Sequence, residues 1–368
     1  MLQRRVEKLR KTLQEKNLDG FLISNFYNIL YLTGFKTLTN DEREGWGLIT
    51  AKNVYLFTDS RYLNIKSAFQ ILKLITPEKG LIKHLQEIVT EEKIQRLGFE
   101  GDDLKVNELQ KLKEQLINVG LVSLEKLIIK IRGIKDEEEI KKIKMACQIA
   151  DQCLGEIVKT IKAGATEKEI AFKIEFWLKE KNYDLSFYPI VAVDKNSAIP
   201  HYDTRNGCDE KVKKNSIILI DFGAKFQDYH SDMTRMIFVG KPTNEMINIY
   251  KTLLNAQEKT IERLKIDNNP VSVDQFCRRV LTSPYSLIPN PYPHSTGHGV
   301  GLQIHEYPKI SFTSTDVLLP NQVVTIEPGV YIEGKWGMRV EDTVLIKGNK
   351  QIEVLTKFSK EFLIISNY

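Results

Sequence analysis

The chain predicts an α+β fold in two domains, a smaller α/β domain followed by a larger one that mixes capped helices with hairpin-paired strands. Three observations carry this expectation. Helix-period and strand-like runs alternate over the first 130 residues, the texture changes at Ile131-Arg132-Gly133-Ile134-Lys135, and from Ile217 onward strands dominate. The length of 368 residues is roughly two to three times that of an ordinary domain. With 42% apolar and 27% charged residues, the composition is globular and excludes a collagenous or disordered chain. The boundary is placed near residue 130, giving domains 1–130 and 131–368.

In chain order, Val6, Leu9, Leu13 and Leu18 recur at helical spacing, and Gly20 precedes the apolar strand Phe21-Leu22-Ile23. Residues 47–50 and 54–58 flank the turn Ala51-Lys52-Asn53 and read as a hairpin. Asp136 ahead of Glu137, Glu138 and Glu139 is a helix start, an N-cap followed by acids at the positive end of the helix dipole. Thr166-x-x-Glu169 and Ser272-x-x-Gln275 read as capping boxes opening two further helices, and Thr243-Asn244 starts another that runs to about residue 264.

Charge and composition narrow the function. The net charge of +5, from 53 basic and 48 acidic residues, is spread without a basic arm, so no nucleic-acid partner is expected. The longest aliphatic run, Ile217-Ile218-Leu219-Ile220, is too short to span a bilayer, and no membrane partner is expected. The opening MLQRRVEKLRKTLQEK lacks an apolar h-region and carries Glu7 and Glu15, which points to the cytoplasm. Cys147, Cys153, Cys208 and Cys277 share no CxxC spacing and are expected to be small buried residues. Five of the six histidines fall between His201 and His305, which places the chemistry in the second half. His84, His230 and His294 are assigned to surface or supporting positions.

Two segments put acids at the edges of apolar strands. If the first hairpin turns about Phe226-Gln227, Asp221 lies opposite Asp232. In the second, Gly334 lies midway between Glu327 and Glu341, so pairing opposes those two acids. Like charges about 5 Å apart across a strand pair are destabilising, and a bare buried carboxylate is costly. Arg235 and Arg339 cannot compensate four such acids, so bound cations are expected. His298, between glycines in Thr296-Gly297-His298-Gly299, supplies a nitrogen ligand where the backbone can approach closely. His201 follows Pro200, which holds its backbone extended on a loop. Four carboxylates and one imidazole suit Mn²⁺, and also Co²⁺ or Zn²⁺. Five such ligands fit two divalent metal ions about 3–4 Å apart, a site for metal-assisted hydrolysis.

The ordered set Asp221, Asp232, His298, Glu327 and Glu341 lies within LIDFG, SDMTR, TGHGVG, TIEPGVY and RVEDT. It resembles the metallopeptidase family of aminopeptidase P, prolidase and methionine aminopeptidase. Residues 1–130 look like the creatinase-type N-terminal domain of the proline-specific members, and FTDSRY (57–62) and NSAIPHY (196–202) look most like aminopeptidase P. The resemblance implies a "pita-bread" catalytic domain and an Xaa-Pro aminopeptidase acting on peptides with proline at the second position. By the same resemblance Asp221 would chelate one metal, His298 and Glu327 the other, and Asp232 and Glu341 would bridge them. A metal-bridging hydroxide would attack the carbonyl before proline, Glu327 taking its proton while His201 and His305 steady the carbonyl and oxyanion. Arg339 and Tyr331 would support the ligands from behind, and a homodimer is the family expectation.

One stretch departs from the family's pattern. Val193-Asp194-Lys195 stands where members commonly carry a Ser-Gly-like pair, and this loop is expected close to the substrate side. Two alternatives accompany the leading expectation: an Xaa-Pro dipeptidase (prolidase), and a non-catalytic binding protein on the same fold. Retention of all five ligands disfavours the latter.

Overall fold

The apolar run at Phe21 forms a strand, Gly20–Ile23, near the middle of a six-stranded sheet in a computed structural model of the chain. The structure describes residues 2–40, 42–62, 71–76, 78–282 and 292–365. Two units divide the chain, Met1–Arg132 and Gly133–Tyr368.

In the first unit the strand order is Ile71–Leu74, Val54–Thr58, Gly45–Thr50, Gly20–Ile23, Arg96–Glu100 and Gly120–Leu124. Gly45–Thr50 and Val54–Thr58 pair antiparallel as the expected hairpin. Leu85 and Ile88 of the Leu81–Glu91 helix and Leu112 of the Val106–Gln115 helix bury against Leu22, Leu48, Phe57 and Leu97. Each such side chain contributes about 1.5–3 kcal/mol. His84 is buried here, its Nε2 2.8 Å from the Leu74 carbonyl, and so is neither a surface nor a supporting residue.

The second unit mixes helices and sheets, as an α+β domain does. Its four-stranded sheet runs Leu363–Ile365, Met233–Val239, Ile217–Phe222 and Ile190–Val193. Alternation along Ile217–Phe222 divides the core. Ile218, Ile220 and Phe222 pack with Ile149, Leu154 and Ile174 from the helices Glu137–Val158 and Glu167–Glu180. Ile217 and Leu219 pack on the other side with Leu253 and Cys277 from the helices Asn244–Arg263 and Pro270–Leu281. Strand parity puts Asp221 on that second side, at the end of the strand. A five-stranded sheet follows in the order Glu306–Ile310, Gly297–Gly299, Val323–Ile326, Asp342–Ile346 and Ile352–Val354.

Asp136, Thr166 and Thr243 cap their helices as expected, each side chain accepting a backbone N–H three residues on. Ser272 does not. The helix begins at Pro270, and Asn269 caps it by accepting from Val271 N and Ser272 N. Proline's fixed φ suits the first helical turn and moves the start upstream of the Ser272-x-x-Gln275 box. Of the cysteines, Cys147, Cys153 and Cys277 are buried, whereas Cys208 is exposed.

Candidate metal centre

Both hairpins form, but only one has the expected register. Asp221 faces Thr234, and Phe222 faces Met233. The turn is Gln227-Asp228, with φ of 47° and 69°, one residue later than the sequence suggests. That slips the pairing by two, so Asp221 is not opposite Asp232. A two-residue slip keeps every side chain on its original face, so Asp232 still projects on the side of Asp221. Gly223 permits the close approach at this end, since a Cβ there would lie 1.8 Å from the Ser231 carbonyl oxygen.

In the second hairpin Ile326 faces Asp342 and Gly329 faces Arg339, with Gly334 at the turn in the left-handed region, φ +74°. Glu327 and Glu341 fall in the interval between these pairs, in matching register. His298 enters from the Gly297–Gly299 strand, which pairs Gly299 with Val324. A side chain at Gly297 would meet the Thr325 carbonyl oxygen at 1.9 Å, so only glycine lets this strand bring His298 against the Val323–Ile326 strand.

Ligand atoms of Asp232, His298 and Glu341 lie within 4.8 Å of one another. His298 Nε2 is 3.6 Å from Asp232 Oδ2 and 3.3 Å from Glu327 Oε1. Asp221, Asp232, His298, Glu327 and Glu341 line one cavity of about 340 Å³, with His201, His305 and Arg339. Tyr331 stands behind it: Arg339 Nη1 donates to its hydroxyl at 2.9 Å.

The electrostatics are those of a site built for cations. Burial, then repulsion from Glu341, Asp221 and Glu327, pushes the Asp232 carboxyl well above its ordinary range. Burial, then Glu327 and Asp221, does the same to Glu341. Burial lifts Glu327 to about 7, against the pull of Arg339. Burial, with His305 nearby, drops His298 to about 3, so its ring is neutral. His298 Nδ1 sits 3.1 Å from the Gly299 carbonyl, which only an N–H can satisfy, so Nε2 presents its lone pair to the acids. Asp221 Oδ1 and Asp232 Oδ1 are buried with no hydrogen-bond partner among the described residues. Orphaned buried carboxylate oxygens beside a neutral imidazole are what divalent cations would occupy. The donor set therefore fits divalent metal.

Supporting groups hold each acid. Arg339 Nη2 donates to Asp221 Oδ2 at 2.5 Å, and its Nε donates to Thr234 Oγ1 at 3.0 Å. Thr234 in turn donates to Glu341 Oε2 at 2.7 Å. Thr325 accepts from His298 N at 3.0 Å and donates to Glu327 Oε1 at 3.2 Å. Thr343 donates to the Asp232 carbonyl at 2.8 Å. Arg235 pairs not with the cluster but with Asp342, at 2.8 Å.

Sequence reasoning missed the threonines, because Thr234 becomes visible only with the correct register. It also set His294 aside. His294 lines the cavity, accepts the Tyr331 hydroxyl at Nε2 over 2.9 Å, and lies 3.8 Å from Glu327 Oε2. Its only sequence signal is its place four residues before His298. His230 is buried next to the cluster's strand, and burial lowers it to about 4. The Val193-Asp194-Lys195 stretch does not line the cavity among the described residues. Asp194 accepts from Ser216 Oγ at 2.8 Å and Ile217 N at 2.9 Å, and so anchors the start of the Ile217–Phe222 strand.

Residues 141–348 match the family model described as metallopeptidase family M24, and residues 5–134 match that of the creatinase/prolidase N-terminal domain. The chain is 32% identical to the Xaa-Pro dipeptidase of Pyrococcus horikoshii, covering 99% of both chains. It superposes on the Xaa-Pro dipeptidase from Bacillus anthracis with a TM-score of 0.88 at 32% identity, covering 99% of this chain and 100% of that one. It superposes on the X-Pro aminopeptidase from Thermotoga maritima with a TM-score of 0.85 at 30% identity, covering 98% and 100%. The chain therefore belongs to the M24 metallopeptidase family, in its aminopeptidase P/prolidase group, and is a metal-dependent peptidase rather than a non-catalytic relative.

Proposed function

We propose that the protein is an Xaa-Pro aminopeptidase, releasing the residue ahead of proline from peptides longer than two residues. One observation carries this reading over a dipeptidase. The cavity that holds the acids continues into a second, of about 540 Å³, and both are lined by His201, His294, His298, His305 and Glu327. The room in these two adjoining cavities supports a substrate that extends beyond a dipeptide. The dipeptidase remains the second reading, because the B. anthracis and P. horikoshii proteins similar to this chain carry that name.

Two divalent cations, Mn²⁺ in first place with Co²⁺ or Zn²⁺ as alternatives, would be held by Asp221, Asp232, His298, Glu327 and Glu341. Cations there supply an acidified water and positive charge against a developing oxyanion. The chain's own groups do the rest. Glu327 accepts the proton of the attacking water, and His201 and His305, both facing the cavity, steady the substrate carbonyl. Arg339 and Tyr331 keep Asp221 and His294 oriented. We place the enzyme in the cytoplasm, as a homodimer; no helix among the described residues is long and apolar enough to cross a membrane.

The test compares hydrolysis of Xaa-Pro with that of Xaa-Pro-Yaa by the Mn²⁺-loaded protein, with metal counted per chain. Turnover of the longer peptide with two ions per chain is expected. Turnover of the dipeptide alone would overturn the aminopeptidase reading in favour of the second, and one ion per chain would overturn the dinuclear assignment.

A further inference from the structure

We propose that Glu167 is a positioning residue that fixes His201 in the catalytic cavity from behind the loop that carries it; this rests on the reading of His201 as a substrate contact. Glu167 opens the Glu167–Glu180 helix and is fully buried. Its carboxylate is saturated by one loop. Oε1 accepts from Val193 N at 2.6 Å and Asn196 Nδ2 at 2.9 Å. Oε2 accepts from the Tyr202 hydroxyl at 2.7 Å and from Glu210 N at 2.9 Å. Among the described residues no lysine or arginine pairs with it, so the charge is held by hydrogen bonds and its place at a helix N-terminus.

His201 itself makes no hydrogen bond among the described residues, yet its ring faces both cavities. Its position therefore depends on its two chain neighbours. Before it, the Pro200 carbonyl accepts from Arg339 Nη1 at 3.1 Å, which ties the loop to the residue that also holds Asp221. After it, Tyr202 is buried, bonded to Glu167 and packed over Gly207, where a Cβ would lie 2.1 Å from the phenol oxygen. One anchor belongs to the metal centre and the other is Glu167.

Glutamine at 167 keeps the volume but turns one acceptor into a donor. Tyr202 could reverse its hydroxyl, whereas the N–H groups of Val193 and Glu210 cannot reverse theirs, so one arm of the clamp must open. A shift of about 1 Å in a substrate contact costs up to about 100-fold in rate.

The test is a double-mutant cycle on the full-length, metal-loaded enzyme with an Xaa-Pro-Yaa peptide, together with spectra of ¹⁵N-histidine-labelled protein. Glu167→Gln is expected to lower kcat/KM about tenfold without changing the metal content, and Tyr202→Phe to lower it less, in the same direction. In a His201→Ala background each should change kcat/KM by less than about twofold. Both variants should move the imidazole signal that His201→Ala removes and leave that of His84 in place. Equal losses in both backgrounds, with the His201 signal unmoved, would overturn the proposal. If Glu167→Gln fails to fold, Tyr202→Phe carries the same cycle. Full turnover by His201→Ala would sink the reading of His201 as a substrate contact, and the imidazole signal alone then decides whether Glu167 positions it.

Discussion

Stripping divalent cations from this protein should leave a fold whose stability falls as pH rises from about 6.5 to about 8. Asp232 and Glu341 are pushed well above the carboxyl range by burial and mutual repulsion, and Glu327 is lifted to about 7. In the unfolded chain these groups ionise near pH 4. Across the interval the fold therefore holds more protons than the unfolded chain, and stability falls with rising pH. The neutral histidines act in the opposite direction. His230 is held at about 4, His294 and His298 at about 3, so they favour the fold as pH rises through 6.5; above it their slope fades within about one pH unit, amounts to about 0.4 kcal/mol each, and is outweighed by the several raised carboxyls. One carboxyl that keeps its proton gives about 1.4 kcal/mol per pH unit, or about 2 kcal/mol over the interval. That corresponds to a Tm lower by about 4–8 °C for a unit of this size. In the Mn²⁺-loaded protein the carboxylates are already ionised and the slope should vanish. Thermal unfolding of chelator-treated and reloaded protein at three pH values reads both curves. A metal-free curve that is flat or rises between pH 6.5 and 8 would refute the picture of crowded, uncompensated acids.

Three further outcomes follow from the same contacts. Asp232→Asn removes a buried acid from the cluster, so the metal-free protein should melt higher than the parent by a few degrees while the metal-loaded enzyme loses at least about 100-fold in kcat; melting curves and a peptide assay check both. Arg339→Lys cannot reach Asp221, Thr234, Tyr331 and the Pro200 carbonyl together, and a loss of about 10–100-fold in metal affinity is expected by titration calorimetry. Asp342 is fully buried and accepts from Arg235, Gln257, Thr356 and Lys360, so Asp342→Ala should cost about 3–5 kcal/mol in urea unfolding by leaving the guanidinium unpaired.

That Asp221, Asp232, His298, Glu327 and Glu341 would gather around one cavity was readable from residue type, because the cost of burying acids is a local signal. Asp221 follows four aliphatics, and Glu327 follows Val323-Val324-Thr325-Ile326. The second hairpin was readable in register as well, since Gly334 marks its turn. The first was not: Phe226-Gln227 and Gln227-Asp228 make equally good turns by composition, and a slip of two leaves the apolar alternation unchanged. Ser272 misled for a related reason, because the capping pattern ignored the stronger Asn269-Pro270 start.

Residue chemistry and spacing alone pointed to metal-dependent hydrolysis and to five side chains that the fold gathers on one cavity. Only the tertiary structure decided what surrounds them. It places Thr234 between Arg339 and Glu341, brings His294 within reach of Glu327, and closes the Asn196–Tyr202 loop onto Glu167. These partners come from separate elements, with Glu167 35 residues from Tyr202 and Thr234 107 from Glu341. Their hydroxyls, amides and rings are unremarkable in sequence, because a hydrogen bond costs its groups nothing until burial removes the water that would otherwise make it.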